Sequence, residues 1–153
     1  MAATPDAIPD IAHAIQLAVA PVFLLTGIAT LLSVMTNRLA RIIDRGRSFE
    51  ERWPRMDEAA RKVVQGELSN LERRRRLASR AINACTFAAL LICLVVATLF
   101  IEAIFSLPLK YLAGLLFIGS MMALIFGLTS FLREVYIATH TVRIWVLTDS
   151  SGR

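Results

Sequence analysis

A row of hydroxyl, amide and charged side chains recurs along the first apolar stretch of the chain, at intervals of three and four residues. This polar row starts at Thr26, passes through Asn37 and ends at Ser48. A helix carries residues spaced in this way on one side, here within roughly an 80° sector. Oxygen and amide groups on one helix face can line a hydrated ion path, and the apolar Phe23 and Val19 on the same side would narrow it. The candidate path-lining residues are Val19, Phe23, Thr26, Thr30, Ser33, Asn37, Arg41 and Asp44.

A second interpretation of the polar row involves no ion. Ser and Thr hydroxyls in membrane helices often donate hydrogen bonds to a carbonyl of their own helix or to a neighbouring helix. The charged residues Arg41 and Asp44 lie among further arginines. These charges either select ions in a vestibule or reach towards lipid headgroups. The sequence leaves both interpretations open.

Two other charged features are candidates for binding. A run of four arginines is expected to bind anionic lipid or a protein partner, and it comprises Arg73, Arg74, Arg75 and Arg76. Glu102 lies at the outer end of the second apolar stretch. Three roles are open for it: an external cation site at the outer mouth, a partner of Lys110, or an ordinary interfacial residue. No DNA-binding motif accompanies the arginines, so we predict no nucleic-acid partner.

Catalytic and metal-binding motifs are missing from the sequence. It contains no HExxH, CxxC, Walker, nucleophile-elbow or GxGxxG pattern. The two histidines, His13 and His140, are predicted on opposite sides of a membrane. Cys85 and Cys93 lie two turns apart on one predicted helix and cannot form a disulfide with each other. We therefore predict no enzyme activity, no cofactor and no metal site.

Three long apolar stretches must position these residues. The chain is 56% hydrophobic and 19% charged, and the two kinds of residue are segregated along it. Because about 20 apolar residues span the hydrocarbon core of a bilayer, we predict an all-α integral membrane protein with transmembrane helices at 14–35, 81–105 and 111–132.

The first two helices are predicted to extend beyond the membrane as a long antiparallel helical hairpin over residues 36–80. No Gly or Pro breaker directly follows Met35, and apolar residues continue at helical spacing to Phe49. The first arm should end near Trp53 and Pro54, because the residue before a proline is biased away from helix. The second arm should begin near Asp57 and run into the second span.

The basic residues predict an orientation. Residues 36–80 contain thirteen of the seventeen Lys and Arg. By the positive-inside rule, the hairpin is cytoplasmic, residues 1–13 form an external segment, 106–110 an external turn, and 133–153 a cytoplasmic helix and tail. The expected location is the inner membrane of a bacterium, with anionic lipids of the cytoplasmic leaflet as partners.

Small residues share one face of the third span, at three-four-three spacing. Such residues let helices approach closely, and they are expected to pack within the chain or between subunits. The face comprises Ser120, Ala123, Gly127 and Ser130.

Three segments resemble a family of small bacterial membrane proteins, domain of unknown function 2721. They read SVMTNRLARIIDRGRSFE, ELSNLERRRRLASRAI and FLREVYIATHTVRI. The resemblance implies a three-span prokaryotic membrane protein and supplies no activity. The topology is also similar to that of the ExbB and TolQ energy-transducing proteins, an analogy of architecture that implies a homo-oligomer and suggests a pentamer.

Two functions are therefore expected from the sequence. The first is a homo-oligomeric ion channel lined by the first helix, with a weak preference for cations because Glu102 is the one acid near the outer mouth. The alternative is a non-conducting scaffold or accessory subunit whose basic hairpin binds a partner or anionic lipid.

Overall fold

The computed structural model describes residues 7–149, and their side chains over residues 11–138 apart from 55, 59 and 60. It contains three long helices, α1 (Ala7–Arg52), α2 (Glu58–Phe105) and α3 (Lys110–Asp149). A short 3-10 turn, Trp53–Arg55, separates α1 from α2. The described part of the chain contains no strand.

Each helix holds a stretch that is long and apolar enough to cross a membrane. These stretches lie within Ile11–Arg52, Arg61–Phe105 and Lys110–Ala138. The length and composition match the roughly 20 apolar residues that a span requires. The expectation of an all-helical, multi-pass membrane protein is thereby confirmed at this level.

Local chemistry explains where the helices end. Pro54 has no backbone N–H, and α1 ends two residues before it. Met56 is extended, with a ψ of 142°, so the chain leaves the helical path before α2 begins. At the other connection Ser106 has a φ of 51°, in the left-handed region, which reverses the chain between α2 and α3. The Leu109 N–H then donates to the Leu107 carbonyl at 2.8 Å.

The chain divides into two compact units, and every helix contributes to both. The first unit contains the chain up to Leu32 together with Ala84–Phe126. Its buried residues are mostly small, which allows close helix approach. They include Ala14, Ala18, Ile28, Cys85, Ala88, Ile92, Val95, Thr98, Ala113 and Ser120.

The second unit contains Ser33–Asn83 and the chain from Gly127 onwards. Its apolar core joins Ile42 of α1 to Leu71 and Ala78 of α2, with Leu39 and Phe49 packed against it. This core packs the first arm against the second. Burial of such a face, rather than helix propensity, supplies most of the stability of helices of this kind.

The small-residue face of α3 is largely covered within the single chain. In the first unit Ser120 is fully buried, and Ala123 is half-buried. In the second unit Gly127 and Ser130 are both buried. This burial favours packing within the chain over packing between subunits.

Candidate functional site

The polar row lies on the exposed side of α1. From Thr26 to Asp44 each of its residues is exposed, and Phe23 exposes 74% of its surface. The buried residues of α1 are centred roughly 180° away around the helix, and they are Ala14, Ala18, Pro21, Ile28, Met35 and Ile42. The helix therefore uses one face to pack within the chain and presents the polar row on the other.

The hydroxyl groups of the row bond to their own helix. Thr26 Oγ1 donates to the Val22 carbonyl at 3.3 Å, and Thr30 Oγ1 donates to the Thr26 carbonyl at 3.1 Å. Ser48 Oγ donates to the Arg45 carbonyl at 2.8 Å. This is the bonding expected from the second interpretation of the row. Each hydroxyl oxygen still has lone pairs that can accept a hydrogen bond or face a cation.

Three residues between Ser33 and Ser48 have no such bonds. Within the described side chains, Asn37, Arg41 and Asp44 take part in no hydrogen bond or ion pair. All three are exposed. Arg41 also lines a cavity of about 450 Å³ between α1 and α2, next to Arg45, whose Nη2 donates to Glu67 Oε1 at 3.1 Å. The amide and the two charges are thus available to water, ions or another copy.

A buried carboxylate, which the sequence reasoning missed, joins all three helices within the second unit. Glu134 of α3 is fully buried, and Arg74 of α2 donates from Nε and Nη2 to its Oε1 at 3.1 and 3.0 Å. Arg38 of α1 places Nε 3.5 Å from Oε2 and its guanidinium 5.6 Å from the Phe131 ring centroid. Oε2 accepts no hydrogen bond from the described part of the chain. We refer to Glu134, Arg38 and Arg74 as the buried triad.

One sequence signal leads to Glu134. It lies four residues after Ser130, so it continues the small-residue face of α3 by one further turn. A carboxylate at the end of a face that is otherwise built for close packing is expected to be buried, and a buried charge requires a partner.

The four-arginine run is divided among different environments. Arg74 belongs to the buried triad, whereas Arg75 donates from Nε and Nη2 to Glu72 at 2.7 and 3.0 Å. These bonds lower the pKa of the Glu72 carboxyl below its usual value. Arg76 Nε lies 3.2 Å from the same carboxylate. Arg73 and Arg76 also line a cavity between α2 and α3.

That cavity, which we call the basic groove, lies between α2 and α3 in the second unit. It has a volume of about 1090 Å³. Four arginines line it, together with the polar Ser69 and Asn70 and the apolar Leu77 and Leu132; the arginines are Arg73, Arg76, Arg80 and Arg133. Arg80 and Arg133 fall outside the predicted run, and their contribution depends on the packing of α2 against α3.

Glu102 lines a separate cavity of about 600 Å³ in the first unit. His13 and Lys110 line the same cavity. No ion pair joins Glu102 to Lys110 among the side chains that the structure describes, and the Lys110 Nζ lies 5.8 Å from the Tyr111 ring centroid. Glu102 is therefore partly enclosed by the chain at this end.

The chemistry of the remaining titratable groups is limited. Over the described residues, no group of three or more His, Cys, Asp or Glu side chains is arranged to hold a metal ion. Neither cysteine forms a disulfide; Cys85 is buried and Cys93 is exposed.

The polar row, the buried triad and the basic groove all lie in the part of the chain that matches a known protein family. The family model described as Protein of unknown function (DUF2721) matches residues 18–144. The chain belongs to this family. No curated protein and no solved structure matches it. The family confirms the resemblance seen in the sequence and carries no activity with it.

Proposed function

We propose that the protein is a homo-oligomeric ion channel or ion-conducting membrane protein in which α1 of each copy lines a shared path. The observation that carries the proposal is the polar row on the exposed face of α1, opposite the face that packs within the chain. Polar groups facing hydrocarbon are unfavourable. Several copies that turn this face towards one axis would remove that cost and enclose water.

The residues of the row would act in sequence along such a path. Phe23 and Val19 would form an apolar constriction that gates by dewetting. The Thr26 and Thr30 oxygens would accept from water or face a cation. Asn37, with the charged residues below it, would form the inner vestibule.

The proposal includes an orientation, a location and a copy number. The N-terminus and Glu102 would face the outside, and the helical hairpin and C-terminus would face the cytoplasm of a bacterium, on the inner-membrane side rich in anionic lipid. Glu102 supports a weak preference for cations. The analogy of architecture with the energy-transducing proteins supports a pentamer.

Ion flux into liposomes tests conduction directly. We expect the reconstituted protein to conduct, Phe23→Ala to raise the flux because it widens the constriction, and Asn37→Leu to lower it because it removes a hydrated position. Phe126→Ala is the matched control, since Phe126 is an exposed aromatic residue of α3. A monomeric preparation without flux under any ion gradient or potential would refute conduction.

The alternative function is a non-conducting scaffold or accessory subunit. The hydrogen bonds from Thr26 and Thr30 to their own helix favour it, because they satisfy both hydroxyl donors without a water-filled path. So do the arginines of the basic groove, which are available to a partner or anionic lipid. A stoichiometric partner that is lost on Arg73→Glu and Arg76→Glu, together with the absence of flux, would support this function.

A further inference from the structure

We propose that the basic groove is a binding site for the phosphate headgroup of an anionic phospholipid. Arg73, Arg76 and Arg80 follow each other at spacings of three and four residues, so they share one face of α2. Arg133 reaches the same cavity from α3. Two helices therefore bring four guanidinium groups to one open volume.

The positive charge of the groove is largely unneutralised. Arg76 pairs with Glu72, with Nε 3.2 Å from Oε1. Among the side chains that the structure describes, Arg73, Arg80 and Arg133 pair with no acid. Three of the four groove arginines thus have no acidic partner there, whereas Arg74 and Arg75 of the same run lie outside the groove and pair with acids.

The donors in the groove suit a phosphate group. Guanidinium groups form paired, charge-assisted hydrogen bonds with phosphate oxygens. The Asn70 amide and the Ser69 hydroxyl line the same cavity and can donate to further oxygens. A small monovalent anion such as chloride would not use this number of donors. A phosphodiester group offers several oxygen atoms that can accept hydrogen bonds from them.

The position of the groove on the chain favours a lipid over a soluble phosphate. Leu132 ends the charge-free stretch of α3, is 68% exposed and lines the groove, and Arg133 follows it directly. On α2, Arg80 precedes the predicted span 81–105 in the same way. On both helices the apolar residues of the predicted span therefore lie directly next to a groove arginine. A phospholipid has the same order, with its acyl chains next to its phosphate.

Mass spectrometry of intact protein–lipid complexes tests the site. The full chain is released from detergent after incubation with phosphatidylglycerol or phosphatidylcholine at equal concentration. We expect a preference for phosphatidylglycerol that falls about fivefold for each groove arginine removed, and hence by about 25-fold in Arg80→Gln with Arg133→Gln.

A matched control variant distinguishes binding in the groove from non-specific electrostatic attraction between lipid and a basic protein. Arg47→Gln with Arg52→Gln removes the same charge from exposed positions of α1 outside the groove, and it should retain the preference within about twofold. An equal loss in both variants, or no preference in the unaltered protein, would overturn the site. Full displacement of the lipid by inorganic phosphate at equal concentration would overturn the assignment to a lipid.

The test does not depend on the folding of the double variant. If the double variant does not fold by circular dichroism, Arg80→Gln and Arg133→Gln are compared singly, and each should lose about fivefold. The inference rests on the proposed membrane location but not on conduction. A flux assay and a lipid-binding assay can therefore fail separately.

Discussion

The buried triad places one carboxylate against two guanidinium groups, and its members do not contribute equally. Glu134 is fully buried, whereas Arg38 and Arg74 are only partly so and can keep some hydration. The triad carries a formal charge of +1, and its one acid holds two cations from different helices. Removing the acid would leave two partly buried cations together without a counter-charge, which costs more than losing a surface pair.

Glu134→Gln is expected to destabilise the protein by about 3 kcal/mol, the cost of breaking a buried ion pair on one side. The midpoint of thermal unfolding in detergent, followed by circular dichroism, measures the effect. Glu72→Gln is the matched control, because Glu72 also pairs with two arginines but its side chain is 40% exposed, and it should cost less than about 1 kcal/mol. Equal midpoints for the two variants would show that burial of Glu134 has no energetic consequence.

At the scale of the helices, the sequence predicted the end of α1 and the start of α2 to within one or two residues. Pro54 determines the first boundary because it lacks an N–H, and α1 ends at Arg52. The second arm was expected near Asp57, and α2 begins at Glu58. Covalent chemistry and local hydrogen bonding decide such boundaries, so they can be read from neighbouring residues.

The roles of the individual arginines could not be predicted in the same way. A run of four residues covers most of a helix circumference, so its members point in different directions. Which one meets Glu134, which meets Glu72 and which line the groove depends on where α1 and α3 lie around α2. The polar row, in contrast, repeats on one face, and that periodicity was enough to predict that its residues share a side of α1.

Two adjacent isoleucines allow the packing of α1 on α2 to be tested. Ile42 is 5% exposed and belongs to the apolar core of the second unit, whereas Ile43 is 48% exposed. Ile42→Ala should lower stability by about 2–4 kcal/mol, because it removes buried methyl groups and leaves a cavity. Ile43→Ala should cost under about 1 kcal/mol. Thermal unfolding in detergent compares them, and an equal loss would contradict the arrangement of the two arms.

At the scale of the whole molecule, the proposed orientation predicts which side of the membrane each connection faces. In a Cys85→Ala, Cys93→Ala background, Leu107→Cys should react with a membrane-impermeant maleimide added to intact spheroplasts. Glu51→Cys should react only after permeabilisation, because the positive-inside rule places the basic connection in the cytoplasm. The reverse pattern of labelling would invert the topology and exchange the two mouths of the proposed path.

The proposed assembly makes a further prediction about contacts between copies. If α1 lines a shared axis, the constriction brings Phe23 of neighbouring copies together, and a disulfide forms only when Cα atoms come within about 7 Å. In the same cysteine-free background, oxidation of Phe23→Cys should therefore give covalent dimers on a denaturing gel. Phe126→Cys on α3 has a comparable exposure, 59% against 74%, and should remain monomeric if that face meets lipid. Dimers from Phe126→Cys alone would make α3 the interface, and the polar row would then lie outside any shared path.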